Sequence, residues 1–252
     1  WIGIGTPGIA DNANGKIVYS NNLGFNDVPV ADYIHKLIDK PVFIENDANA
    51  AAKGEAAFGA AKGYKNSVTI TLGTGLGGGI IIDGKVYSGF NYAGAELGHT
   101  VIVVDGLACT CGRRGCWEAY SSATGLINMT KARLSKTARD ETIMFDIVES
   151  EGKVSGRTAF DAMKKGDKVG KEVVDEYIKY LAAGVVNMIN IFQPELVVIG
   201  GGISSEGEVI LKPIRDMVKA ERYSVYAEKQ ANILPAQLGN DAGIIGAALL
   251  DE

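Results

Sequence analysis

The sequence predicts an α/β protein built from a duplicated unit, with a ligand cleft between its two halves. Short β-branched runs alternate with helix-forming segments along 252 residues, a pattern that favours a mixed α/β architecture over an all-helical or all-strand chain. A unit of strand, glycine turn, strand, Asn/Asp-Gly turn and strand occurs twice. The first copy holds Gly5-Thr6-Pro7-Gly8 and Asn14-Gly15-Lys16-Ile17-Val18; the second holds Gly73-Thr74-Gly75 and Asp83-Gly84-Lys85-Val86-Tyr87. Two such units, each followed by helix and strand, place a binding cleft between them. Chance recurrence of glycine-rich hairpins is the competing explanation of the repeat.

The elements follow in order. Trp1 to Gly5 and Lys16 to Tyr19 read as strands around the Asn14-Gly15 hairpin signal. Residues 32–39 read as a short helix, Pro41 to Glu45 as a strand, and the alanine-rich stretch from Asp47 to Ala60 as a helix. Ser67 to Thr71 and Gly78 to Ile82 form a hairpin pair, and Asp83-Gly84 turns into a third strand over Lys85 to Tyr87. Helices dominate from Ser121 to Phe192, broken by a polar stretch near Glu149 to Arg157. Leu196 to Ile199 is a strand ending in Gly200-Gly201-Gly202, and Ala242 to Leu250 is a closing apolar helix.

Composition excludes several classes. At 46% hydrophobic residues with no long apolar run, the chain has enough core for one large or two smaller domains and no membrane span. The net charge of −5 comes from interspersed charges of both signs, which argues against nucleic acid as a partner of this segment. Three cysteines cannot pair off fully, so a reducing cytoplasm is expected. The chain opens on Trp1 and runs directly into an apolar strand, which reads as a fold entered partway through.

The glycine motifs sort by mechanism. Gly3 to Gly8 matches the letters of a dinucleotide fingerprint, but an Asn-Gly hairpin follows where that motif needs a helix. No Gly-Lys pair is followed by Ser or Thr, so a Walker A loop is absent. The segment Thr71-Leu-Gly-Thr-Gly-Leu-Gly-Gly-Gly79 has more glycine than a tight turn needs, and its backbone N–H groups could approach phosphate oxygens. Asn46 and Asp47 sit where a strand passes into a helix. Either could be the helix N-cap; equally, a carboxylate at that sheet edge could act as general base toward a hydroxyl.

All three cysteines fall in Ala108-Cys-Thr-Cys-Gly-Arg-Arg-Gly-Cys-Trp-Glu118, and His99 lies ten residues before Cys109. One imidazole and three thiolates, from His99, Cys109, Cys111 and Cys116, make a complete tetrahedral structural zinc set. Such a site is closed. It would fix the loop and hold the carboxylates Glu96 and Glu118 on either side of the metal.

Taken together, the Leu-Gly-Thr-Gly-Leu-Gly-Gly-Gly run, Gly94-Ala-Glu96-Leu-Gly-His99 and Cys109-x-Cys111-Gly-x-x-Gly-Cys116-x-Glu118 resemble the signature of the ROK family of bacterial sugar kinases, repressors and open reading frames. The resemblance extends from Gly5-Thr-Pro-Gly8 to Leu238-Gly-Asn-Asp-Ala-Gly243, and within the family it is strongest to the glucokinases. It implies an actin/hexokinase-like (ribonuclease H-like) fold: residues 1–65 the remainder of a small α/β domain, 66–240 a large α/β domain with the zinc loop, and 241–252 a helix returning to the small domain.

It also implies ATP-dependent phosphorylation of a hexose, glucose foremost, with Mg2+ at the reacting phosphates. Asp47 would be the base toward the sugar 6-hydroxyl, and Gly8, Asn46, Glu96, His99 and Glu118 would line the sugar site. His99 would serve sugar and Zn2+ with one ring nitrogen each. Gly73, Thr74, Gly75, Gly77, Gly78 and Gly79 resemble a phosphate-binding hairpin, and Gly200, Gly201 and Gly202 the adenosine-side turn. A homodimer is common among such proteins.

Family kinases carry a further hairpin with Asp-x-Gly-Gly-Thr, which these 252 residues do not contain; its expected place is upstream of Trp1. Kinases for N-acetylmannosamine, fructose or allose share the scaffold. The effector domain of a sugar-responsive repressor is the alternative of a different class.

Overall fold

The computed structural model describes residues 1–21 and 23–251. The chain begins with strands β1 (Ile2–Thr6), β2 (Ile9–Asp11), β3 (Lys16–Ser20) and β4 (Phe25–Val28), then a short helix α1 (Val30–His35), strand β5 (Val42–Asn46) and helix α2 (Asp47–Phe58). The Asn14-Gly15 signal makes a hairpin, but its first arm is β2 and not the expected Trp1 to Gly5 strand. The tight turn joins the nearest extended segments, and Ile9 to Asp11 is nearer. The Asp11 carboxylate secures that turn by accepting from the backbone and side-chain amides of Asn14. Strand β1 pairs in parallel with β5 instead, Ile2 opposite Val42 and Thr6 opposite Asn46. Helix α1 starts two residues earlier than the sequence suggests, with Pro29 at its N-cap, and stops at His35, after which Leu37 N and Ile38 N close turns onto the Ile34 carbonyl.

A second sheet follows. Strands β6 (Ser67–Leu72), β7 (Leu76–Ile82) and β8 (Lys85–Val86) form an antiparallel meander. The turn is only Gly73-Thr74-Gly75, and Gly77, Gly78 and Gly79 lie inside β7, paired to β6. They face packing partners: a side chain at Gly79 would strike Ala48 and Ala52 of α2, and one at Gly78 would strike Leu97.

Helices α3 (Trp117–Ser121), α4 (Ala123–Leu134), α5 (Met144–Glu151), α6 (Thr158–Lys164) and α7 (Lys168–Phe192) come next. Strand β9 (Leu196–Gly200) runs parallel to β6, and helix α8 (Glu208–Glu221) leads to β10 (Asn232–Pro235), parallel to β9. The sheet order is β10-β9-β6-β7-β8. The core strands β6 and β9 are buried almost throughout, which accounts for their apolar runs without polar alternation.

Helix α7 carries the main core, with Tyr177, Leu181, Val185 and Met188 packed among Trp117, Phe160 and Ile210. Gly184 lies against the Trp117 indole, where any side chain would collide. The helix forgoes about 1 kcal/mol of propensity there and gains a fully buried tryptophan whose Nε1–H donates to the Tyr180 carbonyl at 3.1 Å.

The closing helix α9 (Asp241–Ala247) packs on α2 and β1. Its approach is close because Gly54, Gly246 and Gly3 each lie against backbone carbonyl atoms of the facing element. The return from β10 to α9 is secured by Glu55 of α2, which is 1% exposed. Its carboxylate accepts from the backbone N–H of Ala60 at 2.7 Å, Gln237 at 3.0 Å and Leu238 at 2.8 Å. Among the described residues, no helix is long and apolar enough to cross a membrane.

Candidate active site

The β5–α2 junction shows which residue caps the helix. Asn46 is the N-cap: its Oδ1 accepts from Ala48 N at 2.9 Å and Asn49 N at 3.2 Å. Its Nδ2 donates to the Gly8 carbonyl at 3.1 Å, tying this junction to the β1–β2 turn. Asp47 is therefore not needed as the cap. As the first residue of α2 it is exposed, and among the described residues its carboxylate takes the neighbouring Ala48 N–H alone, at 2.8 Å, beside the positive end of the helix dipole. Gly8 has φ of 95° with its α-carbon against Tyr19 O and Ser20, a position only glycine fills without strain.

A cavity of about 720 Å3 opens beside this junction. It collects Gly8, Asn46 and Asp47 from the first half of the chain and Glu96, His99 and Glu118 from the second. The turn residues Gly73, Thr74 and Gly75, then Gly77, Gly78 and Gly201, continue the same lining. Gly79, Gly200 and Gly202 are not on it: Gly79 faces α2, and Gly200 ends β9 beside Ala236. Gly201 has φ of 87° and lies against the backbone of Leu72, so the chain can turn there only with glycine.

Tyr19, Ser20, Asn21 and Thr110 also line the cavity and were not expected. Tyr19 stands opposite Ile9 in the β2–β3 ladder. The signal for them is the hairpin itself, whose second arm faces Gly8, and it is faint because β2 is only three residues long.

Four side chains from the loop before α3 converge. The candidate donor atoms of His99, Cys109, Cys111 and Cys116 all lie within 4.8 Å of one another. His99 Nδ1 is 3.6 Å from Cys109 Sγ, and Cys111 Sγ is 3.7 Å from Cys116 Sγ. The thiols are unpaired, and that last spacing is far beyond an S–S bond. Burial, with the neighbouring thiols, pushes the Cys116 thiol up to about 12. At Cys111 burial opposes ionisation, but the Arg113 backbone N–H and the other thiols outweigh it and lower the thiol below its ordinary value.

Glu118 links this loop to the glycine turn. Its Oε2 accepts from Leu76 N at 2.9 Å, while Oε1 lies 3.8 Å from Cys109 Sγ. The turn is held from the other side by Ala123 N, which donates to Gly73 O at 2.9 Å, and Thr124 Oγ1, which donates to Thr74 O at 2.7 Å. Glu96 is open to the cleft as a residue, yet its carboxyl is held above the usual carboxylate range. Desolvation is the main cause; His99 opposes it, and the negative Asp47 and Glu118 add to it.

The chain as a whole is similar to known proteins. A glucokinase of Thermotoga maritima is 39% identical over 249 residues, covering 98% of this chain and 78% of that protein. A solved ROK family glucokinase of Streptomyces griseus, in complex with glucose and AMPPNP, superposes with a TM-score of 0.87 at 38% identity, covering 98% of this chain and 80% of that one. A xylose repressor of Bacillus spizizenii is 33% identical over 245 residues, covering 97% of this chain and 59% of that protein. The actin/hexokinase-like fold expected from the sequence is thereby shown. With the ROK family profile matching residues 1–252 and the glycine turn, the Glu96–His99 segment and the cysteine loop meeting at one cavity, the chain belongs to the ROK family.

Proposed function

We propose that the protein is an ATP-dependent hexose kinase, with glucose its foremost substrate and Asp47 its general base. The observation that carries this reading is that Asn46 takes over the cap, leaving Asp47 free on the cavity wall with Glu96, His99, Glu118 and the Gly73–Gly75 turn around the same space. A sugar held by Gly8, Asn46, Glu96, His99 and Glu118 would present its 6-hydroxyl to Asp47. The carboxylate accepts the proton as the hydroxyl oxygen bonds to the γ-phosphorus, and the bond to the β-phosphate oxygen breaks to release ADP. The protein's share is positioning and charge: the turn backbone faces the phosphates, Gly201 lies on the nucleotide side, and Mg2+, when bound, neutralises the phosphate charge.

The ligand set suits zinc. A tetrahedron with Zn–S bonds of about 2.3 Å and Zn–N of about 2.05 Å has S···S edges of about 3.8 Å and S···N edges of about 3.6 Å. The 3.7 Å and 3.6 Å spacings here match these edges. His99, Cys109, Cys111 and Cys116 would hold the ion. Nδ1, beside Cys109, would be the ligand, which leaves Nε2 for a sugar hydroxyl. Within this reading residues 1–65 with 241–252 form the small domain and 66–240 the large one, in keeping with α9 packing on α2.

A second reading, the effector domain of a sugar-responsive repressor, is supported by the xylose repressor likeness; a sensor needs the sugar wall but no base. The deciding experiment is Asp47→Asn in the full-length protein. Turnover of glucose with ATP should fall by roughly a hundredfold or more while glucose binding by calorimetry persists. Near-normal turnover in that variant would remove Asp47 from the chemistry. Glucose binding without phosphorylation in the unaltered protein would favour the repressor.

A further inference from the structure

Two residues before Asp47, at the end of the strand that leads into it, stands a second carboxylate that makes no ion pair among the described residues. Glu45, at the end of β5, is 8% exposed. Its Oε1 accepts from Asn46 N at 2.8 Å and from Asn49 Nδ2 at 3.0 Å, and its Oε2 accepts from Ser88 Oγ at 2.7 Å. The first two donors flank Asp47. The third lies 43 positions away, in the loop that follows β8 and ends at Glu96. The carboxylate thus has one arm on each side of the cleft.

Each side is built to receive it. Asn49 is 1% exposed, and its Oδ1 is buried without a partner. Turning the amide over would set that oxygen against the Glu45 carboxylate, so the donation to Glu45 fixes which way the amide faces. On the other side, the loop from Ser88 to Glu96 is pinched at its neck, where Gly94 N donates to Ser88 O at 2.8 Å and the α-carbons of Gly89 and Gly94 lie too close for side chains. Past the neck, Tyr92 and Ala95 adopt left-handed backbone, φ 62° and 64°, a conformation that persists only where the surroundings enforce it. Ala95 immediately precedes Glu96. The loop's far end is held by packing, with Ala95 and Leu97 against the main core beside Gly78, and at the neck Ser88 Oγ supplies a side-chain bond to the strand–helix junction.

We propose that Glu45 is a positioning residue: through Ser88 it locks the 88–96 loop to the strand–helix junction, and so fixes Glu96 relative to Asp47. It touches no substrate itself, and its role in substrate handling rests on the kinase reading above. A charge-assisted bond between uncharged donor and buried carboxylate is among the stronger kinds. Its loss should loosen the sugar side of the cleft and leave the glycine turn, which Glu118, Ala123 and Thr124 anchor separately, untouched.

The test is Ser88→Ala in the full-length protein, which removes the donor and leaves Glu45, Asn46 and Asn49 in place. Amide hydrogen exchange over residues 89–95 in the ligand-free protein should accelerate about tenfold, and the sugar KM should rise by a similar factor, with the ATP KM and zinc content unchanged. Ser88→Thr, which restores the hydroxyl, should recover both values. Unchanged exchange in Ser88→Ala overturns the lock, and so does faster exchange with an unchanged sugar KM. A parallel rise of both KM values with lost zinc would show a general structural role and also overturn it. If the unaltered protein phosphorylates no hexose, the kinase reading fails, and the exchange result still decides whether the lock exists.

Discussion

Replacing Glu55 by glutamine is the severest test of how the two ends of this chain are joined. The carboxylate is buried, makes no ion pair among the described residues, and receives three backbone N–H groups, one from the turn just after α2 and two from the segment that carries the chain from β10 back to α9. An amide of the same size offers one acceptor oxygen and turns an NH2 toward donors. With the amide oxygen in the Oε1 place, Gln237 and Leu238 are still served by a neutral acceptor while Ala60 N faces the NH2. One bond to a charged group is lost at about 1.5–3 kcal/mol and a buried donor is left unpaired, so the loss comes to about 3 kcal/mol. For a chain of this length each kcal/mol moves the melting temperature by about 2–4 °C, so calorimetry should record a fall of about 10 °C. The control is Glu149→Gln, which breaks the exposed pair with Arg139 and should change the melting temperature very little. A fall of less than about 2 °C for Glu55→Gln, in the range of ordinary surface substitutions, would refute the reasoning, because it would mean the return segment is held by packing alone.

Cys111→Ser should remove the metal from the four-ligand loop: elemental analysis should give about one zinc per chain in the unaltered protein and none in the variant, with a lower melting temperature. An unaltered protein with no metal and three freely titrating thiols would end the zinc assignment. The raised Glu96 carboxyl sets a pH dependence. Its contribution to folding is full below the ordinary carboxylate value and is lost as pH rises through the raised one. Sugar binding runs the other way, because only the ionised carboxylate is a strong acceptor. Hexose affinity should therefore increase from acid to neutral pH and flatten in Glu96→Gln; an identical pH profile in that variant would acquit Glu96.

Much of this was legible in the sequence because local chemistry sufficed. The Asp47 helix, the β6–β7 pair, β9 and the cysteine loop are each announced by spacing or by an apolar run. What could not be read depends on tertiary partners. Strand β2 is three residues long and β4 reads Phe-Asn-Asp-Val, too short and too polar to stand out. Helix α8 carries Pro213 in its interior, a residue that argues against a helix until its neighbours are packed. The glycines stand out as a group, but spacing does not separate their two roles: Gly73 and Gly75 make the turn, while Gly79 lets α2 approach β7. Glu45 and Glu55 look like ordinary acidic residues in sequence, and only the fold supplies the N–H and hydroxyl groups that give them a task.

The buried indole of Trp117 gives the protein its own optical gauge. The chain has two tryptophans, and they sit at opposite extremes: Trp1 is 61% exposed and Trp117 fully enclosed against Gly184. Emission from Trp117 should lie to the blue of that from Trp1, and the Trp1 component should stay constant while the fold persists. Trp117 is also the residue directly after Cys116, at the point where the four-ligand loop enters α3. Any slackening of that loop pulls first on the peptide that holds the indole, so the wavelength of emitted light follows the state of the loop without a label.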